Sequence, residues 1–183
     1  MIKGLYPAFE KLNKWDNIWI MSDPHYGEGE WKVYDTYSSD ERVAILNQFA
    51  HKKDCVICLG DVGDPSYVAK WKAGYKILIK GNHDAGNANY AGYFDEIYEG
   101  PVFISERLLL SHEPIDLPFA FNIHGHDHHG DSNIGLNLCG NLTCFQPINL
   151  KWLIEGGALR HIDSIHRETI DRATERKKWR NRK

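Results

Sequence analysis

Five apolar runs in this chain each end in a short polar cluster that carries a histidine or an aspartate. Runs of this length and composition predict strands. In open α/β sheets, ligand sites form at the carboxyl ends of the strands, so we expect the five clusters to converge there. Only a folded sheet can gather residues that are this far apart in the chain. The clusters are Ser22-Asp23-Pro24-His25, Gly60-Asp61, Gly81-Asn82-His83-Asp84, Ser111-His112-Glu113-Pro114 and His124-Gly125-His126-Asp127-His128-His129.

The composition is that of a folded chain with an unusual histidine content. Ten of the 183 residues are histidine, and 42% are hydrophobic. The net charge of −3 gives no broad attraction to nucleic acid or to anionic membranes. No apolar run approaches the roughly 18 residues of a membrane helix, and the first residues lack the apolar core of a signal peptide. We therefore expect a cytoplasmic protein with no membrane partner.

Charge is distributed unevenly along the chain. Residues 172–183 hold seven Lys and Arg residues and one Glu, a net charge of +6. Residues 1–171 hold 15 basic and 24 acidic residues, a net charge of −9. We predict one domain over residues 1–163, followed by a basic helix or tail over 164–183. A solvated helix end explains this tail better than a phosphate-binding segment does.

The alternation of strands and helices, with denser strands later in the chain, predicts an α/β sandwich. Ser38 and Glu41 form a capping-box pattern ahead of a helix. Asp64-Pro65 predicts a second helix start, with an N-cap followed by proline. Helical spacing of Tyr90, Phe94 and Ile97 predicts a further helix, and residues 135–140 predict a last strand.

Cys55 and Cys58 have the spacing of a redox or zinc pair. They lie, however, within the apolar run Cys55-Val56-Ile57-Cys58-Leu59, which predicts a buried strand. Neighbouring positions on a strand face opposite sides. We therefore interpret both cysteines as small core residues.

The residue types in the five clusters suit divalent metal ions of the kind that phosphoryl chemistry requires. Residues two apart in an extended chain point the same way, which pairs Asp23 with His25 and His126 with His128. Aspartates neutralise the ions and one can bridge them, while imidazoles supply neutral nitrogen ligands. The remaining candidates are Asp61, which follows a glycine, Asn82 with its amide oxygen, and His112.

Taken together and in this order, the clusters resemble the five motifs of the calcineurin-like metallophosphoesterase family over about 106 residues. More loosely, the whole chain resembles small, stand-alone bacterial and phage-type members. The resemblance implies an α/β fold, a four-layer αββα sandwich of two mixed β-sheets flanked by helices. The metal site would lie at the carboxyl ends of the strands.

The resemblance also implies which residues bind two divalent ions, with Mn²⁺ favoured and Fe or Zn²⁺ left open. Asp61 would bridge the two ions. One ion would be held by Asp23, His25, Asp61 and His128, and the other by Asp61, Asn82, His112 and His126.

The implied reaction is hydrolysis of a small phosphoester by a metal-bridging hydroxide, with diesters favoured over monoesters. His83 would act as proton donor to the leaving oxygen. Asp84 would orient the His83 imidazole. The protein would thus be a metal-dependent phosphoric ester hydrolase.

Three alternative functions compete with this interpretation. A non-catalytic scaffold of the same fold would lack part of the ligand set, which is complete here. A nuclease acting on short or single-stranded nucleic acid is not favoured, because an acidic body offers few phosphate contacts. The segment His124–His129 resembles a metallo-β-lactamase motif, but Asp127 stands one position too early.

The remaining histidines and an aromatic stretch have no assigned chemistry. We interpret His51, His161 and His166 as residues without a role in the metal site, whereas His124 and His129 flank the site and could support it. Tyr26, Trp31, Tyr34 and Tyr37 could line the substrate entrance or cover an edge of the core.

Overall fold

Nine strands form two mixed sheets in the computed structural model, which describes residues 1–28, 37–84 and 89–162, together with 172, 174, 175 and 177–179. The strands are β1 Ile18–Met21, β2 Cys55–Cys58, β3 Tyr75–Ile79, β4 Glu96–Tyr98, β5 Val102–Ser105, β6 Leu108–Leu110, β7 Phe121–His124, β8 Leu136–Asn137 and β9 Ile148–Asn149. The first sheet has the order β4-β3-β2-β1-β9, in which only β9 is antiparallel to its neighbour. The second has the order β5-β6-β7-β8, in which β5 is antiparallel to β6.

Helical segments connect and flank the strands. Within the described part of residues 1–162, the α-helices are α1 Ser39–Phe49, α2 Gly140–Thr143 and α3 Leu150–Glu155, and the 3-10 helices are Pro7–Lys14, Pro65–Lys70, Asn82–Asp84 and Tyr90–Gly92. The predicted capping box starts α1: the Glu41 backbone N–H donates to Ser38 Oγ, and the Ser38 N–H donates to the Glu41 carboxylate. Asp64 caps the 3-10 helix Pro65–Lys70 by accepting from the Ser66 N–H.

Two apolar layers bury opposite faces of the five-stranded sheet. On β1, Ile18 and Ile20 face the layer that also contains Leu108 and Ile123 of the second sheet. Trp19 and Met21, which alternate with Ile18 and Ile20 along the strand, face the other layer, which contains residues of α1. This alternation follows from the strand period of two. The predicted arrangement of two mixed sheets with flanking helices is confirmed.

The two cysteines of β2 belong to these layers. Cys55 lies in the layer between the sheets and Cys58 in the layer under α1. Both are buried free thiols. Their interpretation as core residues is confirmed, because the strand directs them to opposite faces.

Two predicted elements differ from the structure. The helix expected around Tyr90 is only the 3-10 turn Tyr90–Gly92, and Ile97 lies on β4. Tyr90, Phe94 and Ile97 do contact the same apolar layer. Their spacing therefore reflects burial against that layer and not a continuous helix. The strand expected over 135–140 ends at Asn137, since the Cys139 N–H donates to the Asn137 side chain and not to a neighbouring strand.

The predicted tail, residues 164–183, lies largely outside the described residues, so the boundary at 163 stays a prediction. Among the helices within the described ranges, none is long and apolar enough to cross a membrane.

Candidate metal centre

The carboxyl ends of five strands, three from one sheet and two from the other, meet at one edge of the sandwich. The loops that follow these strands hold all seven predicted metal-ligand residues. Asp23 and His25 follow β1, Asp61 follows β2, Asn82 follows β3, His112 follows β6, and His126 and His128 follow β7.

Four of these residues direct their ligand atoms toward one another as a first group. His25 Nε2 lies 3.3 Å from His128 Nε2 and 3.7 Å from Asp61 Oδ2. Asp23 Oδ1 lies 3.9 Å from His25 Nε2 and 3.7 Å from His128 Nε2. This is the set that the resemblance assigned to one ion.

A second group forms around His112. Its Nε2 atom lies 2.8 Å from Asn82 Oδ1, 3.1 Å from His126 Nδ1 and 3.3 Å from Asp61 Oδ2. Asn82 Oδ1 and His126 Nδ1 are 3.1 Å apart. Asp61 Oδ2 therefore belongs to both groups, whereas its Oδ1 accepts from the His83 backbone N–H at 2.9 Å.

Two features of the site suit divalent cations: a buried carboxylate oxygen without a hydrogen-bond partner, and the chemical types of the ligands. Asp23 is 1% exposed, and its Oδ1 has no hydrogen-bond partner among the described residues. A buried carboxylate oxygen left in this state is costly unless a cation or a donor reaches it. Carboxylate, amide and imidazole ligands together suit Mn²⁺, Fe and Zn²⁺.

Three of the histidines have their outward ring nitrogen held by an oxygen. The Nδ1 atoms of His25, His112 and His128 lie 2.7, 2.8 and 2.9 Å from Glu28 Oε2, the Leu59 carbonyl oxygen and Asn141 Oδ1. Each of these oxygens accepts a hydrogen bond from the N–H on Nδ1, so that Nε2 can offer its lone pair to a bound cation. Metal-binding histidines are typically oriented in this way.

The backbone at the site adopts conformations that are uncommon for residues with side chains. Asp23, His25, Asp61 and His126 have φ values of 54°, 39°, 52° and 65°. Residues other than glycine rarely occupy this region, although Asp and His are enriched there. Such strain is maintained where the surrounding structure requires a particular side-chain direction.

Two glycines let the loops approach one another. A Cβ atom on Gly60 would lie 2.4 Å from the Gly81 nitrogen, and one on Gly125 would lie 2.1 Å from Asp23 Oδ2. The glycine before Asp61 therefore permits a close approach of the two loops. Any larger residue at position 125 would displace the Asp23 carboxylate.

Asp84 joins the loop after β2 to the loop after β3. Its buried carboxylate accepts from the backbone N–H groups of Asp61, Val62 and Gly81 and from the Tyr90 hydroxyl, at 2.8–2.9 Å. A carboxylate has about four lone-pair sites, so these donors fill them. These contacts hold the backbones of the two loops, and orientation of the His83 ring by Asp84 stays a prediction.

The loop after β1 is held by an arginine from α1. Arg42 is buried and donates from Nη1 to the Pro24 and His25 carbonyl oxygens, at 2.6 and 3.2 Å. Above this loop, His83 is exposed, and its ring centroid lies 5.5 Å from that of His25. His83 thus borders the first group of ligand atoms on the solvent side.

The other histidines lie outside the two groups. His124 is buried, with its two ring nitrogens 2.8 Å from the Gly125 and Ile134 carbonyl oxygens, whereas His51, His129 and His161 are exposed. Tyr26 is fully buried and stacks on Tyr67, so it belongs to the core. His166, Trp31 and Tyr34 fall outside the described residues.

Sequence reasoning missed the partners of the ligand residues. Glu28 stands three residues after His25, a spacing that could have indicated the contact. Asn141 gave no such signal, because it lies 13 residues after His128 and on α2. It contacts His128 twice, since its Nδ2 also donates to the His128 carbonyl oxygen at 2.9 Å.

Replacing Asn141 with alanine is expected to weaken metal binding by about 10- to 100-fold, because the His128 ring loses the acceptor that holds it. Asn141→Asp, which keeps an acceptor, should retain most of the affinity. Metal titration of stripped protein measures both, with the exposed Asn133→Ala as control. Unchanged affinity in Asn141→Ala would show that the contact does not position His128.

Charge coupling within the centre makes the metal-free protein sensitive to pH. Burial lowers the pKa of His112, but the hydrogen bond and charge of Asp61 outweigh burial and raise this pKa to about 9. For Asp61, burial acts in the opposite direction and raises the pKa. The hydrogen bond and charge of His112 outweigh burial, so the pKa of Asp61 is lowered. The two side chains therefore form an ion pair near neutral pH.

Because the pKa of His112 is higher in the folded protein than its ordinary value of 6.5, its contribution to stability is complete below about pH 6.5 and is lost as the pH rises toward 9. We expect the difference in unfolding free energy between the wild type and His112→Gln to shrink by about 2 kcal/mol over this range. Urea unfolding of metal-free protein measures it, and a difference independent of pH would contradict the ion pair.

The fold and the site define a class of protein. Two mixed sheets with helices outside, and a cluster of Asp, Asn and His ligand atoms at the carboxyl ends of the strands, are the features of a metal-dependent phosphoesterase. A sequence model of the calcineurin-like phosphoesterase family matches residues 17–182, and the chain belongs to this family. The predicted family is thereby confirmed, and with it a metal-dependent hydrolase that acts on phosphate esters.

Two solved structures are similar to this chain, and the first of them supports the fold. The structure of AQ665 from Aquifex aeolicus, a protein of unknown function, has a TM-score of 0.61 at 23% sequence identity, over 76% of this chain and 98% of that chain. The nuclease MPE from Pseudomonas putida has a TM-score of 0.44 at 21% identity, over 67% of this chain and 63% of that chain. No curated protein matches the sequence.

Proposed function

We propose that this protein is a dinuclear phosphoesterase that hydrolyses a small phosphodiester, with monoesters as poorer substrates. One observation carries the proposal: two groups of ligand atoms share Asp61 Oδ2 at the edge where the two sheets meet. A single shared carboxylate oxygen between two sets of nitrogen and oxygen donors suits two ions held close together.

The seven residues would divide between the ions as the two groups of atoms divide. When bound, divalent ions supply Lewis acidity, lowering the pKa of water and neutralising charge on the phosphoryl oxygens. Asp61 and Asp23 supply the negative charge that balances the cations. One ion would be held by Asp23, His25, Asp61 and His128, and the other by Asp61, Asn82, His112 and His126.

His83 is proposed to donate a proton to the leaving oxygen. Its ring is exposed beside His25, and its backbone N–H is tied to Asp61 Oδ1, which fixes the residue close to the centre without making its ring a ligand. Imidazole is the side chain best suited to proton transfer near neutral pH. For Asp84 we propose a positioning role, through the hydrogen bonds that hold the backbones of Asp61, Val62 and Gly81.

A cleft beside the second group of ligand atoms supports a small substrate. Its volume is about 260 Å³, and its lining includes Asn82, His112, Lys80, Glu99 and Glu113. Lys80 is paired with Glu99 at 2.9 Å, so these two charges neutralise one another within the lining. The volume suits one small group of a diester.

The test is a panel of phosphomonoesters, small phosphodiesters and a single-stranded oligonucleotide, assayed after metals are stripped and again after Mn²⁺, Zn²⁺ or Fe²⁺ is restored. We expect activity to disappear on stripping and return on reloading, with kcat/KM highest for a small diester. Hydrolysis that survives metal removal would contradict the mechanism. Preference for the oligonucleotide would favour a nuclease, and two bound ions without turnover of any substrate would favour a scaffold.

A further inference from the structure

We propose that the thiolate of Cys139 is an additional ligand of the ion held by Asp23 and His128. This inference rests on the metal centre proposed above and extends its ligand set by one sulfur atom. Cys139 lies outside the five polar clusters, between β8 and α2, and is fully buried. It therefore reaches the centre from a part of the chain that follows all seven of the other ligand residues.

The placement of three ligand atoms supports the proposal. Cys139 Sγ, a carboxylate oxygen of Asp23 and a ring nitrogen of His128 all lie within 4.8 Å of one another. A carboxylate oxygen of Asp23 is likewise within 4.8 Å of ligand atoms of His25 and Asp61. Asp23 is thus common to both sets of ligand atoms, and His128 of the first group is also near the sulfur atom.

The oxygen of Asp23 that lacks a hydrogen-bond partner is a second observation that points to a bound ion here. Asp23 Oδ1 is buried, faces His128 Nε2 at 3.7 Å and has no hydrogen-bond partner within the described part of the chain. Its other oxygen, Oδ2, already accepts from the His126 N–H at 3.0 Å. The oxygen that lacks a partner is therefore on the carboxylate that lies beside the sulfur atom.

The backbone holds Cys139 firmly against the loop after β1. Ser22 and Cys139 form a parallel β-bridge, which places Asp23 next to the cysteine. The Cys139 N–H donates to Asn137 Oδ1 at 2.9 Å, and Asn137 Nδ2 donates to the Asp127 carbonyl oxygen at 2.7 Å. The thiol is thereby fixed between two of the metal-site loops, without a large conformational change needed to reach the ion.

Ligation by Cys139 would change which metal the site prefers. On binding, the S–H bond breaks, a sulfur–metal bond forms and the proton passes to solvent. Thiolate together with imidazole favours Zn²⁺ or Fe²⁺, whereas an all oxygen and nitrogen site also suits Mn²⁺. The inference therefore shifts the expected metal at this position from Mn²⁺ toward Zn²⁺ or Fe²⁺.

Cobalt substitution tests the proposal without relying on activity. Co²⁺ is added to metal-free full-length protein, and the absorption spectrum is recorded for the wild type, Cys139→Ala, Cys139→Ser and the exposed-cysteine control Cys144→Ala. We expect a near-ultraviolet sulfur-to-cobalt charge-transfer band in the wild type and in Cys144→Ala, and its loss in both Cys139 variants. Zn²⁺ affinity should fall about tenfold or more in Cys139→Ala, with a smaller change for Mn²⁺.

The outcomes separate this inference from the proposed function. Visible cobalt bands without the charge-transfer band in the wild type would show that a metal centre exists and that Cys139 is not a ligand. Absence of any bound Co²⁺ would overturn the metal centre and the inference together. Because the wild-type spectrum alone decides between these outcomes, the test stands even if a Cys139 variant fails to fold.

Discussion

Replacing Asp61 with asparagine is expected to lower kcat/KM for phosphoester hydrolysis about 1,000-fold and to reduce the metal bound at saturation. Asp61 Oδ2 lies 3.3 Å from His112 Nε2 and 3.7 Å from His25 Nε2, so it is the oxygen common to both groups of ligand atoms. The amide keeps the size of the side chain and can still accept from the His83 N–H, but it removes the charge shared by two cations. Metal analysis and steady-state kinetics measure the two effects.

The matched control for this change is Asp64→Asn. Asp64 stands on the same loop, three residues later, and its side chain accepts from the Ser66 N–H at the start of a 3-10 helix. Asparagine can preserve that acceptor, so the control should retain metal and activity. Full occupancy by two ions in Asp61→Asn, with affinity equal to the wild type, would remove the bridging assignment.

Replacing His83 with alanine is expected to lower kcat by about 10²- to 10⁴-fold while the bound metal stays at the wild-type level. The ring lies beside the centre and is exposed, and it belongs to neither group of ligand atoms. The loss should depend on the leaving group, because a poor leaving group needs protonation and an activated phenolate does not. Rates for a series of aryl and alkyl diesters measure this dependence.

His51→Ala serves as the control, since His51 is also exposed but lies at the end of α1, away from the metal-site loops. It should leave the rate and its dependence on the leaving group unchanged. If His83→Ala lowers the hydrolysis rate equally for diesters with good and with poor leaving groups, the role of proton donor is contradicted. Loss of metal from that variant would indicate a ligand in place of an acid.

Much of the fold could be predicted because strands and helix starts leave local patterns. The run Ile18–Met21 alternates between two apolar layers, and Ser38 with Glu41 forms its capping box within four residues. Tyr90 and Ile97 are an exception. Their spacing predicted a helix, yet Ile97 lies on β4, because side chains can be buried on one side of a segment whether its backbone is helical or extended.

The roles of supporting residues could not be predicted, because their partners are distant in the chain. Asn141 meets His128 only because α2 packs beside the loop after β7. The four donors to Asp84 come from Asp61, Val62, Gly81 and Tyr90, and no sequence pattern indicated them. Sequence patterns indicate only hydrogen-bond partners that are close in the chain. A buried carboxylate accepts from whichever donors the fold brings to it.

By itself, the sequence determined the family of this protein, its sheet-edge site and the residue types available there, because these depend on strand periodicity and on ordered motifs. Only the tertiary structure decided the contacts and distances between these side chains. It brought Asp61 Oδ2 between two groups of nitrogen and oxygen atoms, left Asp23 Oδ1 without a partner among the described residues, and placed Cys139 beside it. Distances between residues more than a hundred positions apart follow from the packing of two sheets, which no local pattern encodes.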